Sequence, residues 1–191
     1  MDLSASTALL LTISCFLWNI ESRPQSLQYS SLISVPNGGG WGDWGPSEFC
    51  DYGLAKGFSL KVEYEQTVGD NTALNGIRLY CNDGTILESK VGPWGTWTPK
   101  KICIGGYLVS FSLRVEGLRK HLDNSAANNI WFKCSHSNMT IMGSGHTRGK
   151  FGPWSERCPL NGICGMRTRV QDKQGIIGDD TGLNDVMFFC C

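Results

Sequence analysis

Long hydrophobic runs are missing from this chain. Crossing a bilayer takes about 20 apolar residues in a helix, and the candidate at residues 8–18 is too short. A surplus of one charge is missing too: 17 Lys and Arg balance 17 Asp and Glu. Without a basic run or stripe, nucleic acid and acidic membranes are poor partners. No segment carries the long 3.6-residue apolar stripe of an amphipathic helix. Signatures of chemistry are equally scarce. No Cys-x-x-Cys pair is there to hold zinc, and no Gly-x-Ser-x-Gly elbow accompanies His121, His136 and His146. Gly38-Gly39-Gly40 lacks the strand–helix context of a phosphate loop. No metal and no cofactor are expected.

The apolar run sits at the extreme N-terminus, where a secretory leader belongs. Residues 1–22 are predicted to be that signal peptide, with Ile20 and Ser22 at its cleavage site. Residues 23–191 are predicted to be one secreted, monomeric domain without a transmembrane segment. Removing the leader takes away Asp2 and Glu21 and leaves a net charge of +2. It also removes Cys15, so eight of nine cysteines remain and can pair completely. An oxidising compartment favours bridges over a catalytic thiol.

What is present is a block that occurs three times. Trp41-Gly-Asp-Trp44, Trp94-Gly-Thr-Trp97 and Phe151-Gly-Pro-Trp154 open the copies, which cover about residues 37–91, 92–148 and 149–191. A cysteine follows each opening: Cys50, Cys103, Cys158. Eight residues later an alternating run begins: Phe58-Ser-Leu-Lys-Val-Glu63, Phe111-Ser-Leu-Arg-Val-Glu116, Met166-Arg-Thr-Arg-Val-Gln171. An Asp turn comes next, at Asp70, Asp123 and Asp179, and a second run ends on Cys81, Cys134 and Cys190, 11 residues beyond. Such copies bury their apolar faces against one another. Register predicts one bridge per copy, Cys50–Cys81, Cys103–Cys134 and Cys158–Cys190. Adjacent residues of a strand face opposite ways, so Cys191 cannot share the partner of Cys190. Cys164–Cys191 follows by elimination.

Period-two alternation predicts antiparallel sheets with one buried face. Phe58, Leu60, Val62 and Tyr64 fall on the core side; Ser59, Lys61 and Glu63 fall outside. Each copy is expected to supply about four strands, and three sheets enclosing a shared core is the natural closure. Residues 32–35 could be a first, closing strand. Segments 83–91 and 135–150 read as surface loops. The second holds Asn138-Met139-Thr140, the N-glycosylation acceptor.

Three groups of residues could carry function. The Asp turns are most simply structural, since Asp, Asn and Thr side chains bond nearby amides; a ligand or metal contact is the sharper alternative, but a calcium loop needs more carboxylates. Trp41, Trp44, Trp94, Trp97 and Trp154 could stack on sugar rings while Asp43 bonds hydroxyls. The plainer reading makes these tryptophans plugs at the prism ends, packed on the disulfides. Glu63 and Glu116, with Gln171 third, could supply a glycosidase pair, although alternation places them on a solvated face. Because Asp43 corresponds to Thr96 and Pro153, any site should be asymmetric.

These blocks, with Gly69-Asp-Asn-Thr-Ala-Leu-Asn-Gly76, Gly178-Asp-Asp-Thr-Gly-Leu-Asn-Asp185 and the terminal Cys190-Cys191, resemble the vitelline membrane outer layer protein family over residues 34–191. The resemblance implies an all-β fold, a β-prism of three Greek-key sheets around a pseudo-threefold axis with a bridge in each repeat. It implies a secreted protein of an extracellular coat that associates with N-acetylglucosamine oligosaccharides or extracellular glycoproteins. It also implies, as an alternative, a chito-oligosaccharide transferase or glycoside hydrolase; no catalytic residues are assigned. A structural coat protein without a ligand is the third possibility. The second turn, Leu122-Asp-Asn-Ser, lacks the leading glycine, and Gly182 replaces alanine in the third.

Overall fold

Alternating apolar residues build the long strands of the computed structural model, which describes residues 29–64, 73–117, 127–136, 138–173 and 181–191. The expected leader, the Asp70, Asp123 and Asp179 turns and His121 lie outside the described residues. Among the described residues there are 14 strands and no helix, hence no helix able to cross a membrane. In the first third they are β1 (Ser31–Ile33), β2 (Asp43–Trp44), β3 (Glu48–Phe49), β4 (Ala55–Val62) and β5 (Leu74–Cys81). Next come β6 (Ile86–Glu88), β7 (Thr96–Trp97), β8 (Lys101–Ile102), β9 (Leu108–Val115) and β10 (Ala127–Cys134). The rest are β11 (Thr140–Met142), β12 (Lys150–Phe151), β13 (Ile163–Val170) and β14 (Leu183–Cys190).

They form three antiparallel sheets. The first is ordered β6-β5-β4-β7 with β8 also on β4; the second, β11-β10-β9-β12; the third, β1-β14-β13-β2 with β3 also on β13. Sheets and sequence copies therefore do not coincide, contrary to the expected four strands per copy. Each copy keeps its long hairpin but lends its opening segment to the sheet before it. The first copy lends β2 and β3 to the third sheet, which closes the ring. The segments expected to be plain loops each carry an edge strand, β6 or β11, and β1 plays that part for the third sheet. Every edge is two or three residues long, which blunts edge-to-edge aggregation.

Inner faces meet at the axis. Phe58, Phe111, Phe132 and Phe188 are fully buried, and their rings touch across sheets: Phe58–Phe132 at 4.8 Å, Phe111–Phe188 at 4.8 Å, Phe132–Phe188 at 5.3 Å. One apolar cluster takes in residues of all three sheets. Burying each ring is worth about 1.5–3 kcal/mol, and no hairpin could bury its rings alone.

The outer faces are less open than alternation predicts. Ser59, Ser110 and Ser112 point outward yet are buried. The neighbouring segment covers Ser110 and Ser112 and takes their hydroxyl bonds: Ser112 Oγ donates to the Gly152 carbonyl at 2.8 Å, and Ser110 Oγ to the Ser155 carbonyl at 3.0 Å. Tyr64, placed on the core side by alternation, is exposed instead, because β4 ends at Val62.

Each long hairpin is bulged at both ends. Lys61 pairs with Gly76 and Val62 with Leu74, leaving Asn75 as the extra residue; Asn128 and Asn184 hold the same place. The repeated Asn of the turn motif is thus a fully buried bulge residue. At the opposite end the extra residues are Lys56, Val109 and Cys164. Four disulfides gather there: Cys50–Cys81, Cys103–Cys134, Cys158–Cys190 and Cys164–Cys191. The bulge at Cys164 gives the third sheet an extra sulfur facing away from that of Cys190.

Candidate functional site

The end away from the disulfides holds three of the six candidate binding residues, Trp41, Asp43 and Trp94. In the first two copies a left-handed glycine fixes the opening segment, Gly42 at φ 75° and Gly95 at φ 82°. A Cβ on Gly42 would strike the Val170 carbonyl, and one on Gly95 the Val62 carbonyl. Only glycine meets both the dihedral and the close approach. The residue before each glycine is left at the rim: Trp41 is 53% exposed and Trp94 37%.

The third copy corrects the sequence alignment. Gly149, at φ 73°, lies on the Val115 carbonyl, and Lys150 and Phe151 pair with Val115 and Arg114. The structural counterpart of Trp94-Gly-Thr-Trp97 is therefore Arg148-Gly-Lys-Phe151, three residues before Phe151-Gly-Pro-Trp154. Matching aromatic residues misplaced the copy; the backbone follows the left-handed glycine. The rim presents two tryptophans and one arginine, so it is asymmetric.

Trp44, Trp97 and Trp154 are neither core plugs nor packed on disulfides. Trp97 pairs with Lys61 and Trp44 with Arg169, so their side chains share the outer faces of those strands. Cations cover the rings. Arg78, bonded to Glu88 at 2.6 Å, lies 4.1 Å from Trp97, Arg167 lies 5.5 Å from Trp44, and Lys133 lies 4.4 Å from Trp154. Trp154 also contacts Trp131 at 5.6 Å. Aromatic and cationic side chains thus satisfy one another on the sheet surfaces. Of the six candidate residues, Trp41, Asp43 and Trp94 are the ones the fold leaves at the open end with free surface.

Asp43 stands at the junction of the first and third sheets. Its side chain is 87% exposed, and Lys90 Nζ lies 4.0 Å away while bonding Asp172 at 2.8 Å. Exposed pairs of this kind are worth at most about 1 kcal/mol, so the Asp43 oxygens stay open to a ligand's hydroxyl or amide. Lys173 lies 5.1 Å over Trp94. Lys90, Asp172 and Lys173 escape sequence reasoning, because residues about 80 positions apart meet only when the ring closes.

Glu63 and Glu116 are not on a solvated face. Each is 8% exposed, just past the end of β4 or β9, where the neighbouring sheet's loop covers it. At Glu63 that loop supplies His146, whose Nε2 donates to the Glu63 carbonyl at 2.7 Å and whose ring lies 6.4 Å from Tyr64. Gln171 Oε1 accepts from Thr181 Oγ1 at 2.5 Å. Glu63 and Glu116 belong to different sheets. His136 is at the disulfide end and His146 at the other, so they do not converge. No group of three metal-ligating side chains occurs among the described residues.

Among the described residues, Asp185 is the one carboxyl at this end whose titration is shifted. Burial pushes it above the ordinary carboxylate range, against the Val186 amide and the Arg169 guanidinium. Gly38 makes room for it, since a Cβ there would strike the carboxyl.

Sheets of this form, ordered about a pseudo-threefold axis and stapled by four bridges, define a β-prism. Among solved structures the chain is similar to Calystegia sepium agglutinin, with TM-score 0.56, 16% identity, and 85% of this chain and 97% of that one covered. It is similar also to single-chain recombinant jacalin, with TM-score 0.53, 14% identity, and 86% and 97% covered. Those likenesses carry the fold. The family model for vitelline membrane outer layer protein I matches residues 31–191, and the chain belongs to that family. Two curated relatives, both vitelline membrane outer layer protein 1 homologs, are similar along most of their length. The one from Homo sapiens is 50% identical over 172 residues, covering 85% of this chain and 84% of that protein. The one from Mus musculus is 42% identical over 205 residues, covering 100% and 99%.

Proposed function

We propose that this is a secreted structural protein of an extracellular coat or fluid that binds glycans at the end of the prism opposite the disulfides. The observation that carries the reading is the rim: Trp41 and Trp94, held outward by left-handed glycines, with the exposed Asp43 carboxylate two residues after Trp41. Indole faces stack on pyranose rings, and a carboxylate accepts hydroxyl or N-acetyl N–H bonds. N-acetylglucosamine oligosaccharides are the ligand class. The family and the lectins that share the fold support the same direction. Four bridges suit an oxidising, extracellular setting.

The test is titration of the mature protein with chito-oligosaccharides of about four to six sugars, followed by tryptophan fluorescence, with product analysis of the same samples. Saturable binding that Trp41→Ala weakens about tenfold supports the reading. New shorter or longer oligomers would move it to a transglycosidase. Neither binding nor products would leave a coat protein without a sugar ligand.

A further inference from the structure

The disulfide end carries its own unexplained feature. Large apolar side chains stand in water there: Ile104 is 78% exposed and Ile102 42%. Ile104 follows Cys103, whose Cα lies 5.7 Å from that of Cys134. The chain leaving Cys134 turns at once, because the Cys134 amide bonds the Met139 carbonyl at 2.8 Å. Asn138 sits in that turn, exposed, at φ 44°, a left-handed value that asparagine tolerates better than most residues. Met139 and Thr140 complete an Asn-x-Thr acceptor, and Thr140, also exposed, begins β11. Strand β11 lies beside β8, which ends at Ile102. The acceptor and the apolar corner are therefore neighbours on the surface.

We infer that Asn138 carries an N-linked glycan and that this glycan covers the Ile102–Ile104 corner. The inference rests on the secreted reading above, since transfer to Asn-x-Thr occurs in the secretory pathway. The amide nitrogen of Asn138 forms the N-glycosidic bond to the first N-acetylglucosamine and loses a proton, and the lipid-linked donor leaves as its diphosphate. The sugar's apolar ring face then lies over the isoleucines while its hydroxyls meet water, which removes a hydrophobic corner from solvent without a partner protein. The glycan is rooted at the disulfide end and leaves the tryptophan rim uncovered.

The full chain would be expressed in a secretory animal cell and weighed intact, before and after peptide-N-glycosidase. Loss of a glycan mass with Asn138 converted to Asp is expected, retained in Thr140→Ser and absent in Thr140→Ala. A secreted chain with Asn138 unmodified would overturn this inference and leave the secreted reading standing. A chain held in the cytosol with its leader attached would overturn both. For the second half, binding of a hydrophobic dye is expected to rise about twofold on glycan removal. Ile102→Ser with Ile104→Ser should abolish that rise; no rise, or a rise that survives both changes, would overturn the shielding.

Discussion

The two ends of the prism are built from the same three hairpins and differ in how they are held. At one end the hairpin bases are joined covalently, and short loops follow the cysteines. There burial pushes the Asp83 carboxylate up, but the amides of Tyr52 and Thr85, each at 2.8 Å, together draw it below its usual range. At the other end no bridge exists among the described residues. Position is kept by buried bulge asparagines and left-handed glycines, and the three copies have drifted apart: Trp41, Trp94 and Arg148 at the rim, Glu63, Glu116 and Gln171 behind it. Covalent ties hold the frame where the copies stay alike. Backbone sterics hold the rim, and they constrain only the glycine, so its neighbours can change chemistry without cost to the fold.

The sharpest way to break this comparison is at the covalent end. Cys81→Ser opens a loop of 31 residues, an expected loss of about 3–4 kcal/mol, and should lower secreted yield far more than Lys101→Ala on the exposed edge. Equal yields and equal thermal midpoints would show that the bridge does not hold the frame.

Glycine substitutions separate the two ends next. Gly42→Ala meets both the φ penalty and the Val170 carbonyl, and is expected to cost about 2–3 kcal/mol in urea unfolding. Gly105, at φ 72° near the disulfides, has nothing within 4 Å of its added Cβ, so Gly105→Ala should cost only about 1 kcal/mol. The reverse order would contradict the role given to Gly42.

A smaller effect compares equivalent positions in two sheets. Asp185 and Asn129 both accept the following residue's amide at 2.8 Å, but Asn129 also donates to the Gly143 carbonyl at 3.0 Å. With its folded pKa raised, Asp185 retains a proton that the unfolded chain has released. Its contribution is therefore full below the ordinary carboxylate range and is lost as pH rises through the folded value. Asp185→Asn should flatten that slope and stabilise the protein by about 0.5 kcal/mol at neutral pH, a figure reduced for its partial exposure. Urea midpoints with unchanged pH dependence would refute it.

The smallest stability effect belongs to the rim. Trp41→Ala should move the unfolding free energy by no more than about 0.5 kcal/mol while weakening chito-oligosaccharide binding. A large loss of stability would make Trp41 a structural residue.

Much of the fold is legible in the sequence because hairpins are local. Period-two runs, a repeated Asn and cysteines in fixed register lie within one copy, and β4–β5, β9–β10 and β13–β14 follow from them. The exchange of opening segments is not legible, because a two-residue strand such as β7 has no period and its partner lies one copy away. The same limit explains the site. Trp41 and Asp43 stand out as residue types, but Trp94 and Trp97 do not differ as types: Trp97 lies in β7 on the outer face of β4 under Arg78, while Trp94 is left at the rim with Lys173 5.1 Å over its ring. Glu63 looked solvated because alternation describes one sheet and says nothing of the loop that the next sheet lays across it.

The lending of β2 and β3 to the third sheet has a consequence for copy number. Each unit is both donor and acceptor, and the circuit is satisfied only when the last acceptor meets the first donor. Two units would leave a long hairpin with one vacant flank and one segment with nowhere to dock, an invitation to swap with a second molecule. Four would need a wider axis than the phenylalanines at the centre can fill. Three is the number at which supply and demand balance inside one chain.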